Sequence, residues 1–221
     1  MPDPIEVRIA NFLDHCSPLA LRVCEESARN AKSELERDQA YMSFLLEIAS
    51  SAAERGEVPI AACLVDRETG EVLDLASNHR EEKRNPLAHA ETELLQHFAA
   101  RQQSWRCSNT ALYVTLEPCL MCCGSILQAR VAEVIYASRD PKCGCVESQA
   151  QVFDLKMPGH RVHYRSAVLE AEASKLLKDF FKDLRKRNQR LKEKLGSASE
   201  RRKLARSGAK PLTLAETDED K

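Results

Sequence analysis

No run of 18 apolar residues appears in this 221-residue chain, and no basic-then-apolar leader opens it. The first absence excludes a membrane-spanning helix, and the second points away from secretion. A disulfide framework is missing as well. The nine cysteines are an odd set, and without a leader they read as reduced thiols and metal ligands. The expected compartment is therefore the cytoplasm. Net charge is almost absent, at −1, yet it is unevenly spread. Residues 181 to 210 hold twelve Lys/Arg against three acidic residues, a net of +9, and residues 211 to 221 carry a net of −3. That leaves −7 for residues 1 to 180. An acidic body with a basic stretch suits a polyanionic partner, and equally a solvated extension. The length allows one domain with extensions, or at most two small domains.

What is present concentrates between residues 85 and 122. Asn85-Pro86-Leu87-Ala88-His89-Ala90-Glu91 is followed by Leu116-Glu117-Pro118-Cys119-Leu120-Met121-Cys122. His89, Cys119 and Cys122 make a three-ligand zinc set that leaves a fourth tetrahedral position for water, as in a catalytic rather than a structural site. Glu91, two residues past the histidine, is a carboxylate placed to move protons. Residues two apart do not share a helix face, so His89 and Glu91 belong at a helix start. Asn85 as cap and Pro86 in the first turn predict one there, with Leu87, Ala90, Leu94 and Phe98 as its apolar stripe. Cys119 and Cys122, three apart, share a face, and a helix starting at Pro118 would stabilise thiolates through its free N–H groups and dipole. Two helix N-termini are thus expected to meet over one metal.

The rest of the chain supplies a scaffold. Residues 1 to 36 read as helical, with Ile5, Ile9 and Phe12 on one face and Ser17-Pro18 starting a second helix; His15, Cys16 and Cys24 there fit no zinc spacing. A helix from Asp38 ends near Gly56, and residues 58–65 and 71–76 flank the Asp66–Gly70 turn as a hairpin. Asn78 lies in the polar segment that leads to His89, where it is either a turn residue or an amide able to read a base edge. Residues 111–116 form a continuous apolar run, as in a strand covered on both faces. The run delivers Glu117-Pro118-Cys119 to its C-terminal edge, where α/β sheets place ligands. A helix to about Gln128 and a strand from Val131 to Ala137 follow, implying a parallel pair. The expected fold class is α/β, a three-layer α/β/α sandwich with a central mixed sheet, an N-terminal helical extension and a basic C-terminal helix and tail. Cys123 reads as core. Cys143 and Cys145 have a second metal pair as their sharper alternative. A short strand over 161–167 precedes a helix from Glu170, whose stripe includes Phe180, Phe181 and Leu184.

The His-x-Glu and Pro-Cys-x-x-Cys elements together are the signature of zinc nucleobase deaminases. Around them the sequence resembles the bacterial tRNA-specific adenosine deaminases, of the cytidine/deoxycytidylate deaminase superfamily. The likeness is carried by residues 57–60, Asn78, Ala88–Glu91, Leu112–Cys122, Arg139-Asp140-Pro141-Lys142-x-Gly144, residues 159–162 and Asp179-Phe180-Phe181. It implies one Zn2+ per subunit on His89, Cys119 and Cys122, Glu91 as proton shuttle, and Asn78 on a flipped base. It further implies that Asp140 and Lys142, and the Phe180/Phe181 region, meet flanking nucleotides, although core packing competes for the phenylalanines. The partner it implies is a tRNA anticodon stem-loop, bound by a homodimer that makes inosine at the wobble position. The domains expected are an N-terminal extension (1–36), the deaminase domain (37–190) and a charged tail (191–221). Ala61 and Ala76, and Glu147, replace usual glycines. A deaminase of a free base, nucleoside or related heterocycle is the alternative activity, and a catalytically retired RNA-binding protein the non-enzymatic one.

Overall fold

The structure is a computed structural model and describes residues 16–155 and 160–194. The expectations for Ile5, Ile9, Phe12 and His15, for residues 157–159 and for the tail from 195 lie outside the described residues. The chain divides into two compact units, one up to Leu177 and one from Lys178.

In the first unit, Ser17 caps α1 (Pro18–Arg29), its hydroxyl accepting from Ala20 N at 3.2 Å, and Pro18 opens the first turn as the sequence predicts. Helix α2 runs Glu34–Glu54 and starts one turn earlier than Asp38. The reason is a cap the apolar spacing does not reveal: the Ser33 hydroxyl accepts from Glu36 N, and the Glu36 carboxylate reaches back to Lys32 N. Gly56 follows the helix with φ +90°, which only glycine adopts cheaply. The hairpin is β1 (Ala61–Asp66) and β2 (Val72–Ser77), its turn held by Asp66 Oδ1 accepting from Glu68 N and Thr69 N. Then come α3 (Ala90–Gln102), β3 (Thr110–Leu116), α4 (Leu120–Ala129), β4 (Glu133–Ser138), a 3-10 turn over Val152–Asp154, β5 (His163–Arg165) and α5 (Glu170–Lys194).

The sheet order is β2-β1-β3-β4-β5. β1 is antiparallel to β2 and to β3, whereas β3, β4 and β5 run parallel. This is the expected mixed sheet, with β5 shorter than the 161–167 run. Alternation along each strand divides the core. Cys63, Val65, Tyr113 and Ile135 face α1, α2 and the start of α5, while Ala62, Leu64, Leu112, Val114 and Tyr136 face α3 and α4. β3 is covered on both sides, as its apolar run requires. A buried polar brace ties the first layer to the sheet. Asp38, 1% exposed, accepts from the Tyr113 hydroxyl at 2.7 Å and from Arg165 at 2.8 and 3.0 Å, joining α2, β3 and β5. The parallel strands β3 and β4 then end together at one edge, where Glu117 N bonds Ser138 O at 2.8 Å.

In the second unit, α5 carries Phe180 and Phe181, whose rings meet edge to face with centroids 5.3 Å apart. Lys182, Arg185, Lys186, Arg187 and Arg190 are exposed along it. No helix among the described residues is long and apolar enough to cross a membrane.

Candidate active site

Neither metal-site helix begins where its local signals place it. His89 occupies the cap position of α3, with φ −76° and ψ 154°, and Cys119 the cap position of α4, with φ −74° and ψ 174°. Asn85 instead closes a turn, its Oδ1 accepting from Leu87 N at 3.0 Å, and Pro86 precedes the helix. Leu87 leaves the apolar stripe and is 54% exposed, whereas Ala90, Leu94 and Phe98 are buried. The physical reason is orientation. A residue at the cap keeps extended backbone, so its side chain swings across the helix mouth instead of along the flank. Neither His89 nor Cys119 makes a side-chain capping bond; both turn toward each other.

The result is a compact triangle. His89 Nδ1 lies 3.7 Å from Cys119 Sγ and 3.6 Å from Cys122 Sγ, and the sulfurs are 3.5 Å apart. Tetrahedral zinc with ordinary Zn–S and Zn–N bonds sets about 3.8 Å between sulfurs and about 3.6 Å from sulfur to nitrogen. The donor set and its spacing therefore fit that ion. Among the described residues this is the only such cluster of three or more His, Cys, Asp or Glu. Cys143 is exposed, Cys145 buried, and among the described residues the two form no second metal pair with a further ligand. Cys123 is core, its thiol against Pro118 O at 3.5 Å.

The electrostatics distinguish the two sulfurs. The hydrogen bond between the two sulfurs, aided by His89, pulls Cys119 down to about 4 against the opposing effect of burial. Cys122 is pushed up, first by the same bond and then by burial. His89 is raised, first by its hydrogen bond to Cys119. Cys119 is thus biased toward the thiolate and Cys122 toward the thiol. Loading zinc at pH 7 should release about one to two protons per ion, so affinity rises with pH. Calorimetry in two buffers of different ionisation enthalpy measures the count, and a value near zero would contradict this charge assignment.

Glu91 sits in the first turn of α3 and is only 4% exposed. Burial, reinforced by the Cys119 charge, raises its pKa. A carboxyl whose proton affinity lies above the usual range beside a metal site is suited to take and return a proton.

Two loops frame this centre, each gathered by a buried carboxylate whose role the sequence does not show. Glu117 accepts from the backbone N–H groups of Asp140, Val146, Glu147 and Ser148 at 2.8 to 3.1 Å, and from the Ser148 hydroxyl. Burial pushes its pKa up, but the bonds from Ser148, Glu147 and Asp140 outweigh it and hold the carboxyl below the usual range. The loop they gather docks on the cysteine segment. Cys145 N bonds Pro118 O at 2.8 Å, and Gly144 bridges Cys119. Asp140 and Lys142 lie in this loop, yet Asp140 Oδ1 is engaged by Lys142 N and Cys143 N, while Lys142 is exposed. On the other side, Asn78 is 3% exposed and donates to Glu57. His79 N, its neighbour, bonds Ala88 O at 3.0 Å, so the Asn78 strand end runs beside His89. Phe180 and Phe181 belong to the second unit.

A sandwich of this topology with a His/Cys/Cys triangle and a buried carboxylate beside it defines the cytidine deaminase-like class of metal-dependent deaminases. The profile of the MafB19-like deaminases matches residues 36–185. The tRNA-specific adenosine deaminase of Bacillus subtilis is 36% identical over 161 residues, 73% of this chain and 99% of that protein. That of Haemophilus influenzae is 36% identical over 171 residues, 77% and 98% respectively. A solved structure from work on A-to-I editing by tRNA:A34 deaminases at the wobble position superposes with a TM-score of 0.59 at 36% identity, over 62% of this chain and 98% of that one. The chain belongs to the tRNA-specific adenosine deaminase family.

Proposed function

We propose that this protein hydrolyses adenosine to inosine at the wobble position of a tRNA anticodon loop, in the cytoplasm. The observation that carries the reading is the triangle of His89, Cys119 and Cys122 with Glu91 buried beside it, in a chain that spans 99% of a tRNA adenosine deaminase. Zinc held by those three residues would supply a water acidified from a pKa of 15.7 toward about 7. Glu91 takes one proton from the attacking water and passes it to the ring nitrogen. It then carries the second, from the new hydroxyl at C6, to the amino group, which leaves as ammonia as the C6–N bond breaks and the carbonyl of inosine forms. Asn78 meets the extruded base, and the loop that carries Asp140 and Lys142 meets its neighbours, as does the Phe180/Phe181 region. An unpaired loop base spares the few kcal/mol of opening a duplex. The basic stretch over 181–210 adds sequence-independent attraction to phosphate. The exposed Leu87 and Leu120, at 54% and 63%, offer apolar surface for the second subunit of a homodimer.

Glu147, the substitution least suited to an RNA surface, is compensated within the protein: the Tyr136 hydroxyl donates to it, and Arg139 pairs with it at 3.4 Å. Its charge therefore does not favour the small-heterocycle alternative.

The deciding experiment incubates the zinc-loaded protein with transcribed tRNAs bearing adenosine at the wobble position, alongside adenine, adenosine, guanine and cytosine. Inosine at that position alone is the expected result. Turnover of a free heterocycle with no inosine in any RNA would overturn the substrate.

A further inference from the structure

The turn after α2 exists to deliver one side chain. Gly56, at φ +90°, bends the chain so that Glu57, 1% exposed, points inward at the end of β2. There its Oε2 accepts from Asn78 Nδ2 at 2.9 Å and from Glu81 N at 3.3 Å, and its Oε1 accepts from Glu82 N at 2.8 Å. Arg55, one turn position earlier, bonds the Ser77 hydroxyl at 2.8 Å and braces the same corner. All three partners of the carboxylate are N–H donors. Its oxygens must accept from all of them, and this fixes the Asn78 amide.

An asparagine amide has two faces of opposite character, and in most settings it can turn over at little cost. Asn78 cannot. Reversal would set its oxygen against Glu57 Oε2, acceptor to acceptor, inside the protein, where an unsatisfied polar contact is expensive. With Nδ2 held by Glu57, the carbonyl oxygen is the end left to meet something else.

We propose that Glu57 is a positioning residue for the substrate base: it sets the polarity of the Asn78 amide and holds the segment that joins Asn78 to His89 in register. The inference rests on the reading that Asn78 meets the base. Glu57 makes no contact with substrate, and its effect passes through Asn78. The carboxylate serves where its isostere glutamine fails, because a glutamine has one acceptor and must turn its NH2 toward a backbone N–H or toward Asn78.

The test is a double-mutant cycle with Glu57→Gln and Asn78→Ala. It is run under single-turnover conditions on an anticodon stem-loop RNA with adenosine at the wobble position, or on the free heterocycle turned over in its place. Glu57→Gln alone should lower kcat/KM about 10- to 100-fold, the cost of a misplaced contact group. In the Asn78→Ala background the same change should cost less than about threefold, since its route is gone. Equal losses in both backgrounds would overturn the proposal and leave Glu57 a structural residue, with the assignment of Asn78 intact. Asn78→Ala within about threefold of the native protein would remove that assignment and the proposal with it.

Discussion

Glu91→Gln is expected to lower the deamination rate by about 10²- to 10⁴-fold, the range typical of a lost general acid-base, while zinc content stays at one ion per chain. The side chain keeps its shape and loses only the ability to carry a proton. Its surroundings make that loss decisive, because at 4% exposure no solvent-borne buffer substitutes for it. The same burial predicts the opposite sign for stability. Glu91 binds its proton more tightly folded than unfolded, so its contribution is full below the unfolded pKa and is lost as pH rises through the folded one. The burial that raises its proton affinity is thus a burden on the metal-free fold whenever the carboxyl is ionised. Glu91→Gln should therefore melt no lower than the native protein at pH 7, a trade of stability against activity. Turnover within tenfold of native, with zinc bound, would sink the proton-shuttle assignment.

Gly144→Ala is the second large effect expected, and it acts at a distance from any reacting atom. A Cβ at this position would lie 2.3 Å from the Glu117 carboxylate and 2.7 Å from Asp140 O. The backbone oxygen cannot move without undoing the turn, so the carboxylate must leave. Its departure strips one buried acceptor from four backbone N–H groups and a hydroxyl together. Leaving a few such donors unmet costs about 3 kcal/mol or more, which in a chain of this length lowers the melting temperature by roughly 6–12 °C. Because the loop lies against Pro118 and Cys119, activity should fall as well. The checks are thermal unfolding of the zinc-loaded protein and its rate of product formation. A melting temperature within 2 °C of native would show that the loop does not depend on Glu117.

The meeting of His89, Cys119 and Cys122 was legible because metal chemistry constrains donor type and spacing, and the central strands because a doubly covered strand must be apolar throughout. Helix starts were legible only in part. Ser17-Pro18 gave the right start for α1, yet the equally regular Asn85-Pro86 did not start α3. There the requirement that His89 stand outside the helix and cross its mouth overrides local preference. Ser33 was hidden for a different reason: the apolar periodicity of α2 begins at Asp38 and Tyr41, a turn after the cap. Glu57 and Glu117 were beyond reach for a third. A lone glutamate reads as surface, and its burial here is set by loops that arrive from more than 20 residues away. One signal pointed to Glu117, a charged residue placed directly after a strand buried on both faces.

The cap positions of His89 and Cys119 have a consequence for the chain as a polymer. An ion bound there joins two points thirty residues apart, with the whole of α3 and β3 in the enclosed loop. A cross-link of that span removes unfolded-chain entropy worth about 3–4 kcal/mol. That is a sizeable part of the about 5–15 kcal/mol that holds a typical domain together. An ion held there would thus also be a clasp on the second helical layer, and scarcity of metal would loosen the fold as well as stop the reaction.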